Sequence, residues 1–318
     1  MISMDKKPFI ILTGPTSVGK TALSISLAKA VNGEIISADS MQVYKYMDIG
    51  TAKITPAQME GVPHYLIDEF SPEEEFNVVK FQQFAKRYIL DIHERGKIPI
   101  LVGGTGFYIQ AVLFDIDFTE NDSDTTYRRE LELLASERGG EYLHNLLSEL
   151  DPVSAKAIHP NNLKRIIRAL EYVRLTGEQI STHNEQQRDK ISPYQYCYFV
   201  LTKNRAKLYE TINQRVDKMF QEGLLDEVKE LAERGYTRDL VSMQGLGYKE
   251  LLAFLEGEST YEEAIDLIKK NTRHYAKRQL TWFKREKDVD WVDKDNFMSE
   301  KDILNYLLAE LKNSGIIS

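Results

Sequence analysis

The sequence predicts an α/β fold of the P-loop type: an open, mostly parallel sheet flanked by helices, with a helical insertion domain. Three observations carry this reading. An apolar run, Phe9-Ile10-Ile11-Leu12, leads directly into GPTSVGKT, residues Gly14 to Thr21. Strand-like and helix-like segments then alternate as far as about Asp115, the pattern of a parallel sheet with ligands at the carboxyl ends of its strands. From Asp117 to Ser192 the strand signals stop, and they return only at Tyr196 to Leu201. The expected organisation is a first part of the core over 1–116, a helical insertion over 117–192, and core completion with C-terminal helices over 193–318.

The first strand, loop and helix define a phosphate site. GPTSVGKT fits G-x-x-x-x-G-K-[ST], between an apolar strand and a helix opening at Lys20. Leu23, Leu27 and Val31 share one face of that helix. Its N-terminus presents free N–H groups and a partial positive charge to an anion. Gly14 and Gly19 allow the loop to turn, with Thr16, Ser17 and Val18 between them. Lys20 adds a cation, and the Thr21 hydroxyl can ligate a phosphate-bound Mg²⁺. The motif leaves open whether the phosphate belongs to ATP, as in a kinase, or to a diphosphate that is a leaving group.

The later elements follow in order. Glu34 to Ala38 reads as a second strand, leading into SADSMQVYKYMDIGTAK, Ser37 to Lys53, which has no simple periodicity. Asp39 stands where that strand ends. It can take a proton from a nucleophile attacking a group attached to bound phosphate, or serve only as a turn or cap residue. Leu66-Ile67-Asp68 offers the single acid that a kinase would place near Mg²⁺. Phe81 to His93 is amphipathic, and Ile98 to Val102 reads as a buried strand ending in Gly103-Gly104-Thr105-Gly106. Within the insertion, Leu163, Ile166, Ile167, Leu170 and Val173 keep helical spacing. Beyond it, helices are expected over Leu208–Phe220, Leu224–Arg234 and Gly247–Leu255, then a long one after Thr260, where Thr260 and Glu263 fit a capping box.

Composition narrows the classes. The 318 residues are 42% hydrophobic and 28% charged, ordinary values for a globular protein. The single cysteine, Cys197, excludes an internal disulfide and a cysteine-rich zinc site and suits a reducing compartment. No apolar run approaches a membrane span, so a cytoplasmic protein without a membrane partner is expected. The net charge of −8 is unevenly spread: residues 115–160 hold 11 acids and 4 bases, residues 161–215 hold 10 bases and 5 acids, and residues 269–287 hold 8 bases and 1 acid. The two basic stretches are either solvated helix faces or a local polyanion site. Lys270, Arg273, Lys277 and Lys284 share a face of the long helix, interleaved with Tyr275, Trp282 and Phe283.

Taken together, GPTSVGKT, ADSMQVYKYMDIGTAK, VGGTGFYIQAVL, NNLKRIIRALE, QGLGYKELLAFLEG and KRQLTWFKR closely resemble the bacterial tRNA dimethylallyltransferases, also called tRNA isopentenyltransferases. The blocks run in family order from Gly14 to Arg285. The resemblance implies a donor, dimethylallyl diphosphate, whose five-carbon group goes to the exocyclic amine of the adenosine just 3′ of the anticodon. The P-loop would then grip a leaving diphosphate. By the same resemblance Asp39 matches the general base, and Ser40, Met41 and Gln42 follow it beside the adenosine. Gly14, Thr16, Ser17, Val18, Gly19, Lys20 and Thr21 match the diphosphate loop, with Thr21 at Mg²⁺, and Thr16 and Arg215 join Asp39 as catalytic positions. On its helix alone, Arg215 reads first as a surface ion pair. Thr105, Arg128, Lys164, Arg165, Arg168, and the turn Gln244, Gly245, Leu246, Gly247, Tyr248 and Lys249 match positions that touch tRNA, with Arg129 competing with Arg128. The implied partner is the tRNA anticodon stem-loop, the implied cofactor Mg²⁺, and the expected state a monomer. A free-nucleotide adenylate isopentenyltransferase and a P-loop small-molecule kinase remain the alternatives; the first has no need of the insertion or the basic helix.

Overall fold

The computed structural model describes residues 6–118, 126–188 and 190–318, with the side chain of Arg188 excepted. The expectations for the first five residues, for 119–125 within the insertion, and for 189 lie outside the described residues. Along the chain, β1 (Pro8–Thr13) leads through the GPTSVGKT loop into α1 (Lys20–Val31) and β2 (Gly33–Ala38). A long loop, a four-residue helix α2 (Pro56–Met59) and a two-residue strand β3 (His64–Tyr65) come next. They are followed by α3 (Val78–Glu94), β4 (Ile98–Gly103) and α4 (Gly106–Leu113).

Five helices then succeed one another: α5 (Thr126–Arg138), α6 (Gly140–Leu150), α7 (Pro152–Ala157), α8 (Leu163–Thr176) and α9 (Ile180–Arg188). The chain returns to β5 (Gln195–Thr202), α10 (Arg205–Gln221) and α11 (Leu224–Glu233). It continues through α12 (Tyr248–Leu255) and the long α13 (Tyr261–Phe283) to β6 (Asp290–Asp293) and α14 (Glu300–Asn313).

Two compact units result, one formed by residues 1–113 and 193–318, the other by Phe114–Ser192. In the first, six strands run in the order β3-β2-β4-β1-β5-β6, and every neighbouring pair is parallel. Phe9, Ile10, Ile11 and Leu12 are fully buried, as a central strand covered on both faces requires. Leu23 and Leu27 of α1 are buried in the same core; each fully buried leucine contributes roughly 1.5–3 kcal/mol.

Register decides what the sheet can present. Thr13 and Ala38 both pair with Gly103, so β1, β2 and β4 end on a single rung. The loops leaving them, GPTSVGKT, Asp39-Ser40 and Gly104-Thr105, therefore emerge side by side. Thr202 of β5 pairs with Asp293 of β6 at the same end. Sequence reading expected neither β3, β6 nor α14. The two strands are too short to show a period, and β6 opens and closes on aspartate. α14 does show its period in Ile303, Leu307 and Leu311, with Ser299 capping its start.

The second unit is helical throughout its described residues. Its core is Leu131, Leu143, Leu147, Ile166, Ile167 and Leu170. Asp151, fully buried, accepts from the amide and hydroxyl of both Ser154 and Ser181, joining the α6–α7 junction to α9. Burial alone would raise its pKa, but these four bonds hold the carboxylate below its ordinary value.

Candidate active site

The phosphate loop is shaped by its neighbours in the sheet. Gly14 has φ 145°, and a Cβ there would lie 2.5 Å from the Leu201 carbonyl oxygen of β5, so only glycine lets the loop leave β1 at this angle. Ser17 is left-handed at φ 62°, and Gly19 precedes the first turn of α1, which carries no acidic residue. The helix end therefore keeps its positive character for an anion. Thr16 and Ser17 are half-buried, Val18 is buried, and Gly19 and Thr21 are exposed.

Lys20 folds over this loop. Its Nζ donates to the Gly14 carbonyl at 2.9 Å and the Pro15 carbonyl at 3.0 Å. Burial and, after it, the charge of Arg215 lower its pKa, Asp39 opposes both, and the outcome is a pKa of about 8. Arg215 reaches the same place from α10, which puts Leu208, Ile212 and Val216 into the core. Its pKa is lowered by burial and supported by Asp39. The two cations and one carboxylate thus interact, and neither cation forms an ion pair among the described residues.

Asp39 is both a turn residue and a member of this cluster. Oδ1 accepts from the amide of Met41 at 2.9 Å and of Gln42 at 3.4 Å, which fixes the carboxylate at the end of β2. The hydroxyls of Tyr108 and Tyr275 are kept protonated chiefly by burial, and Asp39 adds to this in both. Thr105 is bound into the same corner: its amide donates to the Ala38 carbonyl at 3.2 Å. Ser40, Met41 and Gln42 are half-buried, and the Gln42 amide holds the carbonyls of Thr51 and Ala52.

The turn over 244–249 divides in two. Gln244 and Lys249 are exposed and Leu246 half-buried, whereas Gly245, Gly247 and Tyr248 are buried. Tyr248 donates from its hydroxyl to Glu227 at 2.6 Å. The Glu227 carboxylate also accepts from the amides of Asp48 (2.8 Å), Ile49 (2.7 Å) and Gly50 (3.0 Å). Sequence reading missed Glu227, because nothing in a helical Asp-Glu pair announces that it serves a loop nearly 180 residues away.

Asp68, the acid a kinase would have used, is spent elsewhere. It accepts from Lys53 at 2.5 Å, and the same ammonium holds Asp48 and the Tyr44 carbonyl. Among the described residues no group of three His, Cys, Asp or Glu could hold a metal ion.

The basic stretches also divide. On α13 and just past its C-terminal end, Lys270, Lys277, Lys284 and Arg285 are all exposed. Arg273 instead turns to α10, donating to Asn213 at 2.6 Å, and Lys269 pairs with Asp217 at 2.5 Å. An open cleft of ≈ 500 Å³ runs along α13, lined by His274, Lys277, Arg278, Thr281, Trp282 and Arg285. Two lysines missed by sequence reading add charge at the sheet edge. Lys203 donates to Thr211 at 2.7 Å, one turn before Arg215, and Lys294, paired with Glu300, lies against Gly19. Within the helical unit, Lys164 and Arg165 begin α8, Arg168 is half-buried, and Arg128 makes a two-pronged contact to Glu171 at 2.9 and 2.7 Å.

Comparison with known proteins places the whole chain. The profile of the IPP transferase family matches residues 42–286. A tRNA dimethylallyltransferase of Lachnoclostridium phytofermentans is 65% identical over 98% of this chain and 99% of its own length. One from Acetivibrio thermocellus is 48% identical over 96% and 98%. Among solved structures, the full-length tRNA isopentenylpyrophosphate transferase of Bacillus halodurans is 47% identical, with a TM-score of 0.72 over 98% of both chains. A eukaryotic dimethylallyltransferase acting on tRNA is 32% identical, with a TM-score of 0.84 over 96% of this chain and 80% of that one. A P-loop leaving the rung that Asp39 and Thr105 also follow, matches along the whole chain and kinship at these identities lead to one conclusion: the chain belongs to the IPP transferase family, the family of the tRNA dimethylallyltransferases.

Proposed function

We propose that the protein transfers the dimethylallyl group of dimethylallyl diphosphate to the exocyclic N6 amine of the adenosine 3′-adjacent to the anticodon in tRNA, releasing diphosphate. The observation that carries this reading is one carboxylate, Asp39, electrostatically tied to two half-buried cations, Lys20 and Arg215, beside a phosphate loop. An adenine amine is a poor nucleophile, because its lone pair is delocalised into the ring. It needs a base at the nitrogen and strong stabilisation of the leaving group. Asp39 supplies the first; the loop amides, Lys20 and Arg215 supply the second.

The N6 nitrogen attacks C1 of the dimethylallyl group as the C1–O bond breaks. The bonding pair leaves with the diphosphate, and the N6 proton passes to Asp39. Thr16 and Arg215 act on the departing diphosphate, so their contribution grows as negative charge develops there. Mg²⁺ suits this donor set: Thr21 offers one exposed hydroxyl, and an ion that retains water ligands can be held largely by phosphate oxygens. Bound there, it would neutralise diphosphate charge.

The tRNA would be held by phosphate contacts from the outward bases of α13 and from Lys164 and Arg165 of α8, with Gln244, Leu246 and Lys249 nearer the base. Arg128 and Arg168 would act through the Glu171 cluster on α8. The adenosine must leave the stack of its loop to reach Asp39. Incubation with labelled dimethylallyl diphosphate, Mg²⁺ and unmodified tRNA should label the tRNA and leave ATP intact. ATP-dependent phosphorylation of a small acceptor, without label in tRNA, would overturn the reading.

A further inference from the structure

One face of α13 carries bases; the opposite face enters the site. Asn271, Tyr275 and Gln279 follow one another at four-residue spacing on that second face. Asn271 donates to Glu250, whose carboxylate accepts from the Gly247 amide, while Tyr275 feels Asp39. Gln279 makes the most direct connection. It is buried, at 6% exposure, and both ends of its amide are committed to site loops. Oε1 accepts from the Thr16 amide at 2.9 Å, and Nε2 donates to the Gly104 carbonyl at 3.0 Å. The backbone partners fix which end is which, since an amide N–H can only donate and a carbonyl can only accept.

The fit leaves no slack. A Cβ on Gly104 would collide with Nε2, so the glycine is what admits the glutamine. Loop amides in a P-loop ordinarily turn toward the anion. Here the Thr16 amide is committed to Gln279, and the Thr16 hydroxyl makes no hydrogen bond among the described residues.

We propose that Gln279 is a positioning residue for the prenyl donor: by tying the Thr16 amide to the Gly104 carbonyl, it sets the mouth of the phosphate loop and presents the Thr16 hydroxyl to the diphosphate. This rests on the donor reading above. It also makes α13 a two-sided element, with bases for RNA outside and a brace for the donor loop inside.

Inorganic diphosphate, titrated calorimetrically into the full-length protein with Mg²⁺, is the probe. Gln279→Met should weaken diphosphate binding about tenfold, the scale of a lost hydrogen bond, and leave tRNA affinity within about twofold of wild type. Gln279→Glu keeps the acceptor for Thr16 but loses the donor to Gly104 and adds a negative charge. Its deficit relative to wild type should be largest near about pH 8 and shrink toward about pH 5.5, because a buried, protonated carboxyl restores both bonds. Gln279→Met should show no such recovery, and a purely structural role would not produce one.

Wild-type affinity in both variants overturns the proposal. So does joint loss of diphosphate binding, tRNA binding and thermal stability, which would make Gln279 a folding residue. A wild-type protein that ignores diphosphate overturns the donor reading, and this role falls with it. Amide exchange in the wild type needs no variant: the Thr16 N–H should be protected in the free protein, and rapid exchange there also overturns the proposal.

Discussion

The carboxyl edge of the sheet and the outer face of α13 both concentrate positive charge, in opposite physical settings. At the sheet edge Lys20 and Arg215 are desolvated, held by a loop and a core-packed helix, and answer to one carboxylate. On α13 the outward bases Lys270, Lys277 and Lys284 face water, without ion pairs among the described residues, while Lys269 and Arg273 are committed to α10. Buried charge acts at short range in a low dielectric and is hardly screened. Exposed charge is weakened by salt within a Debye length of about 8–10 Å. The first setting suits a small trianion that must be held in one geometry. The second suits a long polyanion gripped at many replaceable points.

The sharpest way to break this contrast is Asp39→Asn. It keeps the turn geometry and removes the basicity, so the single-turnover rate at saturating donor and tRNA should fall by roughly 10²–10⁴. Both affinities should move far less. A near-wild-type rate would demote Asp39 to the turn residue it also is. Arg215→Ala and Thr16→Ala come next: donor affinity and turnover should decline together, by roughly 10²–10³ in turnover for the arginine. A loss confined to tRNA affinity would put these residues on the wrong side of the comparison.

The pH dependence of diphosphate binding tests burial at Lys20. Its pKa is lowered to about 8, and only the ammonium form attracts the anion. Affinity should therefore be full below that value and decline as pH rises through it. Lys20→Met should remove the step, and a flat wild-type profile would mean that Lys20 stays charged throughout. The smallest effects belong to α13. Lys270→Gln, Lys277→Gln and Lys284→Gln combined should reduce the salt slope of tRNA binding by about 0.7–0.9 for each phosphate no longer neutralised. Arg273→Gln should leave that slope in place and lower thermal stability instead.

Much of this contrast is legible in the sequence, and the part that is not has a physical reason. The phosphate loop, β1, β2, β4, β5 and the capped start of α13 are local: each is written in adjacent residues or in one helical period. Asp39 can be placed at a strand end but not assigned a role, because a turn aspartate and a general base look alike in one dimension. Arg273 falls in with the outward lysines by spacing, which does not reveal the neighbouring α10. Gln279, Glu227, Lys203 and Lys294 are invisible, since each acquires its partner only when distant segments meet. β6 is too short to be seen, and it brings Lys294 to the loop.

The Glu227 carboxylate has a consequence for how the site opens. With three successive amides of the 48–50 segment and the Tyr248 hydroxyl on one side chain, two loops nearly 200 residues apart in sequence share a single anchor. Neither loop can loosen without stranding a carboxylate or a buried phenol, so the two behave as one cooperative unit of local unfolding. The amides of Asp48, Ile49 and Gly50 should exchange with solvent at the same opening free energy as those around Tyr248. Replacing Glu227 by alanine should release both loops at once, exposing the 48–50 backbone and the turn at Gly247 to proteolysis in the same event.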